Sequence, residues 1–475
     1  MGNQPVTERR ARRRGVVLLV ALLAIVGLVA TACGSGRSGS DTSGADDGTG
    51  TKTTEATSDS FGTMASPCGP AEGTNAAGTD PGVTADSITI AYGDDAGYPS
   101  APGLNKEMSD AIKAMIDWCN DQGGINGRTV KGNYYDAKIL DVNNAMTEAC
   151  QGNNFFLVGQ GWSLDASQEQ TRLGCGLPSV PTYTVSPQFA HGKLMYQPTP
   201  NPVDKMSIPA AFQMAEAFPD AVKKSALMYG NYSATIDSAE KWQIASQQAG
   251  WTYLDCPQVY AIGGESDWKP FVQRLKDCGA EVVYFSGSFY PNFENVLDAA
   301  AQLDYNPKWM TEANFYDSKF AEWNTSGHAD NVYVRMAYYP FEQADLVPAT
   351  AQYLEIVKDS GGGTSLLGAQ ATAAFLLWAQ ATQECGADLS RDCVLSNLSK
   401  IDSFDAGGLQ APTDPGKNLP GTCGMTLQMK GTEYEQVFPT TVGEMQCDPK
   451  FMVSLTGPVV DRAQLDANRL STAAG

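Results

Sequence analysis

Histidine is nearly absent. His191 and His328 are the only two in 475 residues, and they do not form an H-x-x-x-H pair. That spacing would set two imidazoles on one helical face, so a zinc hydrolase of that kind is excluded. No G-x-S-x-G elbow and no G-K-[ST] phosphate loop occur, which removes α/β-hydrolase and P-loop chemistry. Gly159-Gln160-Gly161 lacks the third glycine of a dinucleotide fingerprint. No cysteines stand in C-x-x-C spacing, which argues against a zinc ribbon or dithiol redox site. Neither a cofactor nor a metal is therefore expected. Positive charge is scarce too: 32 Lys and Arg face 53 Asp and Glu, a net charge of −21. Such a chain repels phosphate backbones and anionic lipid surfaces, so nucleic acid is not an expected partner. The acids leave one enzymatic class open, because a carboxylate-pair hydrolase has no fixed spacing along a sequence.

Basic charge is concentrated at the start. Arg9-Arg10-Ala11-Arg12-Arg13-Arg14 precedes an apolar run over 15–30, then Thr31-Ala32-Cys33-Gly34. A basic segment, an apolar segment and small residues make an export signal. Ala30-Thr31-Ala32-Cys33 resembles the lipobox of a bacterial lipoprotein signal peptide, with Ala30 where that pattern prefers Leu. The resemblance implies cleavage after residue 32 and lipidation of Cys33, with palmitate-like chains holding the exported protein to the outer face of the cytoplasmic membrane. An uncleaved anchor over 15–32 is the alternative, since 18 mostly apolar residues are just enough to span, but the small residues and Cys that end the run favour the lipoprotein. Both place the rest of the chain outside the cytoplasm. Removing 32 residues leaves 443, enough for two domains. Residues 33–66, rich in Gly, Ser, Thr and Asp, read as a flexible tether.

Ten further cysteines fit an oxidising compartment: Cys68, Cys119, Cys150, Cys175, Cys256, Cys278, Cys385, Cys393, Cys423 and Cys447. Proximity favours Cys385–Cys393 and Cys423–Cys447. Cys150 and Cys175 each end a predicted helix before a strand. Cys68–Cys119 would staple the N-terminal segment to the first helix, which leaves Cys256–Cys278. Other pairings remain open at this point.

From Ser87 strands and helices alternate. Ile88–Tyr92 is a strand, and Met108, Ala111, Ile112, Met115, Ile116 and Cys119 recur at helical spacing. Predicted elements follow near 129–135 (strand), 142–150 (helix), 155–158 (strand), 166–173 (helix) and 179–184 (strand). The pattern restarts with helix 206–217, strand 225–229, helix 238–248, strand 251–254, helix 268–278, strand 282–285 and helix 292–303, then short strands near Trp309 and 332–336. The order predicts an α/β protein of two doubly wound parallel-sheet lobes with a ligand cleft between them. The expected division is lobe one over 67–200, lobe two over 201–345, and a return to lobe one with a disulfide-rich end over 346–475. The apolar helix 367–382 reads as buried rather than membrane-spanning.

Several segments resemble type I periplasmic solute-binding proteins of the leucine/isoleucine/valine-binding group. They are Gly123-Gly124-Ile125-Asn126-Gly127-Arg128, Leu157–Ser163, Ser179–Pro187, Ser266–Phe271 and Cys278–Tyr284. Asp267 would cap the helix opened by Trp268. The resemblance spans roughly 85–410 and implies the capture subunit of an ABC importer, with a membrane permease as partner and a small solute as ligand. The loop Gly93–Gly97 departs from the family's Pro/Thr/Gly-rich loop.

Ligands bind such lobes at the carboxyl ends of strands. Ser163 precedes a helix, where its hydroxyl and free N–H groups suit a carboxylate, and the family carries a ligand-binding Ser there. Thr182, Tyr183 and Thr184 lie at a strand end. Tyr232 and Glu312 match family positions that meet a ligand amino group. Asp94, Asp95, Trp162, Phe289 and Tyr290 would form an acidic, aromatic pocket favouring a cationic or zwitterionic ligand. The expected function is capture of a small polar solute, such as an amino acid or amide, by hinge closure, and delivery to the transporter. A lipoprotein sensor, an anchored hydrolase and an envelope scaffold are the alternatives.

Overall fold

A computed structural model describes residues 60–455, apart from the Phe289 side chain. The signal segment, Cys33 and most of the tether lie outside the described residues. The first lobe is a four-stranded parallel sheet in the order Thr129–Asp136, Ser87–Asp94, Leu157–Val158, Ser179–Val180. Its inner strand Ser87–Asp94 is largely buried on both faces, as in a sheet covered on both sides. Helix Lys106–Asp121 buries Met108, Ala111, Ile112, Met115 and Cys119 against that sheet and against helix Leu366–Gln383. Leu366–Gln383 is buried nearly all round. Among the described residues no helix is long and apolar enough to cross a membrane.

Gly123–Arg128 links that first helix to the edge strand. Gly124 has φ +76°, and a Cβ there would stand 2.1 Å from the Arg128 carbonyl oxygen. The turn delivers the buried Arg128, whose guanidinium donates to the carbonyls of Thr84 (3.2 Å), Gly386 (3.1 Å) and Ala387 (2.6 Å). The motif therefore ties the start of lobe one to the returning C-terminal segment.

The second lobe has five parallel strands in the order Gln258–Tyr260, Ser225–Gly230, Val282–Ser286, Lys308–Thr311, Val332–Met336. Cys423–Lys430 and Glu433–Phe438 extend it antiparallel. The segment after 346 thus serves both lobes: its helices lie on lobe one, and its last long strands join lobe two.

All five disulfides favoured by the sequence form: Cys68–Cys119, Cys150–Cys175, Cys256–Cys278, Cys385–Cys393 and Cys423–Cys447. Three local expectations are corrected. The tether ends earlier than residue 66, because Ser60–Phe61 and Met64–Ala65 pair and Phe61 is buried edge-on against Trp118 at 5.9 Å. Residues 251–254 make only a bridge at Tyr253. Trp251 is drawn inward instead, donating to the Ala211 carbonyl at 2.9 Å and meeting Trp242 edge-on. The strand forms after Cys256. Residues Lys205–Ser207 form a strand with Met452–Ser454, and the helix starts at Pro209, where proline suits the first turn. Asp267 accepts from the Lys269 N–H at 3.0 Å, one residue ahead of the formal N-cap Trp268.

Candidate functional site

The chain crosses between the lobes three times, near 198–204, 337–347 and 404–422. One polar cluster binds the crossings together. Gln410 Nε2 donates to the Pro198 carbonyl at 2.8 Å, and its Oε1 accepts from Tyr338 at 2.5 Å and Thr199 at 3.3 Å. Thr413 Oγ1 also donates to the Pro198 carbonyl, at 2.7 Å.

Above this floor lies a cavity of about 1000 Å³, lined from both lobes and by the crossings. Ser163, Thr182, Tyr183, Thr184, Tyr232, Tyr290 and Glu312 all line it. Tyr290 stands exposed at the rim. Phe289's side chain lies outside the described residues. Across the mouth, Glu107 at the head of the first helix pairs with Lys319 of helix Ser318–Trp323 at 2.6 Å, an ion pair joining the lobes.

Asp94, Asp95 and Trp162 are placed elsewhere, which corrects the expected acidic pocket. All three are fully buried behind the cleft wall. Trp162 packs with Met146 and Leu157 in the core of lobe one. Asp94 accepts from the Ala96 N–H and the Tyr134 hydroxyl, and burial raises its pKa to about 6. Asp95 accepts from the Ile139 N–H (2.7 Å), the Ser163 N–H (2.9 Å) and the Ser163 hydroxyl (2.8 Å). Asp165 does the same for the next loop. It accepts from the Val185 and Ser186 N–H groups at 2.7 and 2.9 Å, and burial lifts its pKa to about 7. Thr182 donates to the Gly159 carbonyl and Thr184 to Gln197, both inward. The donors of the first lobe's cleft loops are thus largely consumed by the lobe itself.

The second lobe differs. Glu312 Oε1 accepts from Ser238, from Tyr284 at 3.0 Å and from Arg335 Nη2 at 3.3 Å, whereas Oε2 has only a long 3.5 Å contact with Ser286. Tyr284 stacks on Trp242 at 4.8 Å, and the Arg335 guanidinium sits 5.8 Å from the Trp242 ring. Lys241, next in sequence, is buried and donates to Asn201 and to the Pro202 carbonyl. Burial, with Arg335's charge behind it, pushes its pKa down to about 7. Burial also raises Asp317, to about 6.

The sequence reading missed Lys241, Arg335, Trp242, Glu107, Lys319 and the crossing cluster. Arg335 had a visible signal: it is the lone charge in the apolar strand Val332–Met336. Lys241 had none, because helix Ser233–Gln247 carries polar residues all round.

Two α/β lobes, three crossings and a cleft between them define a hinged solute-binding protein. A family model described as "Periplasmic binding protein" matches residues 87–433. The chain belongs to that family, whose members bind solutes outside the cytoplasm and are not enzymes. Solved structures share the fold. The branched-chain amino acid transporter substrate-binding protein LivJ of Streptococcus pneumoniae, in complex with isoleucine, superposes with TM-score 0.62 at 14% identity, over 74% of this chain and 99% of that one. A fatty acid ABC transporter substrate-binding protein of Thermomonospora curvata gives 0.62 at 16%, over 79% and 97%. An ABC transporter solute-binding protein of R. palustris, in complex with 4-hydroxybenzoate, gives 0.62 at 14%, over 76% and 98%. No curated protein matches.

Proposed function

We propose that the protein captures a small polar solute, such as an amino acid or amide, by hinge closure and hands it to the permease of an ABC transporter. The observation that carries this reading is the cavity of about 1000 Å³ between lobes linked by three crossings. Groups from both lobes meet across it, so a ligand touching both favours the closed state by its differential affinity. Tyr183, Tyr232, Tyr290 and Glu312 are the proposed contacts, with Ser163, Thr182 and Thr184 shaping the first lobe's wall. The lipid anchor at Cys33 belongs to the same reading: it keeps the binding protein beside its permease.

A thermal-shift screen over amino acids, amides, polyamines and small aromatics tests capture. A true ligand at 100 times its Kd stabilises by about 2.7 kcal/mol through mass action. A flat response across the screen refutes the reading. Membrane fractionation of a Cys33→Ser variant tests the anchor, and unchanged retention refutes it.

A further inference from the structure

We propose that the solute carries a carboxylate and that this anionic end is received by the second lobe, at Lys241 and Arg335. The proposal rests on the solute-capture reading and names the class of ligand for it.

Four observations carry it. The first lobe has little to offer an anion. The Ser163, Val185 and Ser186 N–H groups and the Ser163 hydroxyl already donate to Asp95 and Asp165. Two carboxylates buried behind that lobe's cleft wall thus already occupy donors that an incoming carboxylate would need. The second lobe brings cations to the cavity, beside its acids Asp237, Glu294, Glu312 and Asp317. Arg335 lines the cavity, and its buried Nε has no hydrogen-bond partner among the described residues. A guanidinium has five N–H donors in a planar fork suited to carboxylates, and an unpaired buried donor is costly. Its contact with Glu312 is a single 3.3 Å approach.

Lys241 also lines the cavity and stands close enough to feel the Arg335 charge, with two of its three donors taken by Asn201 and the Pro202 carbonyl. Its pKa is depressed by burial first and by Arg335 second, while Asp204 and Glu312 act against that. Two neighbouring cations in a partly desolvated cavity gain from a shared anion between them. The cleft also matches the rest of such a ligand. Tyr98 and Tyr183 of lobe one and Tyr232 of lobe two line the space beside the charged wall, so an apolar or aromatic body fits there. Glu312 Oε2 remains able to accept a hydrogen bond from an amino group, so amino acids fall within the class.

The test uses paired ligands that differ only in charge at one end: phenylacetate with phenylacetamide, hexanoate with hexanamide, and leucine with leucinamide. Binding is measured by calorimetry on the full mature chain. The acid of at least one pair is expected to bind tenfold or more tightly than its amide, and Arg335→Gln is expected to abolish that preference. Glu312→Gln removes the carboxylate that competes for Arg335, so affinity for phenylacetate or hexanoate should rise severalfold. A misfolded variant could not produce that gain. Amides binding as well as acids, or an acid preference that survives both Arg335→Gln and Lys241→Met, overturns the proposal and leaves solute capture standing. Silence of every acid and amide overturns the proposal too, and a flat response in the wider thermal-shift screen then separates failure of capture from failure of the carboxylate class.

Discussion

Replacing Asp95 by Asn probes how the cleft wall of the first lobe is held. Asp95 is fully buried and accepts three hydrogen bonds. Oδ1 takes the Ile139 N–H, and Oδ2 takes both donors of Ser163. Asparagine has one carbonyl oxygen and one NH₂. If its oxygen keeps the Ser163 pair, its NH₂ faces the Ile139 N–H, donor against donor. An unsatisfied buried donor costs about 1–3 kcal/mol. The loss is partly offset, because burial already raises the Asp95 pKa and so penalises the charged form. At about 2 kcal/mol, and about 3 °C per kcal/mol for a unit the size of one lobe, Tm should fall by about 6 °C. Ser163→Ala removes only one bond of a pair to the same oxygen and should cost about 1 kcal/mol. The two changes share that oxygen, so the double variant should lose at least about 0.5 kcal/mol less than the sum. Calorimetric unfolding of the four proteins measures the cycle. A Tm change below 1 °C for Asp95→Asn, or strict additivity, would refute the bracket.

Three further outcomes are expected. Gln410→Leu unties the crossings by removing the bonds to Pro198, Tyr338 and Thr199. It should cost about 1–3 kcal/mol and widen the solution ensemble, and an unchanged scattering profile with unchanged stability would contradict the hinge role. Removing Cys68–Cys119 with paired serines reopens a link across 51 residues, for a loss of about 4 kcal/mol in the chain-entropy view; an unshifted denaturant midpoint would count against the staple. Stability should fall as pH rises from 5 to 7.5. Asp94, Asp165 and Asp317 are raised to about 6, about 7 and about 6, chiefly by burial. In that window the folded chain therefore holds protons that the unfolded chain has lost. Lys241, lowered to about 7, is charged in both states over most of the window and does not reverse the slope there. Thermal unfolding at constant ionic strength that stays flat or rises with pH would be the contrary result.

Much of the architecture was readable because burial imposes a period. The stripe Met108–Cys119 and the β-forming run Ile88–Tyr92 mark their own elements without help from the rest of the chain. The turn at Gly123–Arg128 was readable because few residues tolerate positive φ. Trp251 was misread as strand because its β-forming residue type is local information, whereas its partner, the Ala211 carbonyl, lies 40 residues away. The cleft suffered the same limit. Asp94 and Asp95 look like ligand-facing acids in a loop after a strand. Only the fold shows that Ile139 and Ser163 stand close enough to take Asp95 out of the cleft.

The sequence by itself determined the class: two α/β lobes, an oxidising compartment, a chain poor in the residues of metal and nucleotide chemistry, and loops at strand ends as the place for a ligand. These follow from composition, periodicity and short motifs, which are local properties. Tertiary structure alone decided which polar groups face the cleft and which are taken up behind its walls. That depends on which buried carboxylate meets which N–H group across tens of residues, and on Lys241 and Arg335 converging from a helix and a strand 94 residues apart. Hydrogen-bond satisfaction is a property of the packed whole, so no reading of neighbours along the chain reveals it.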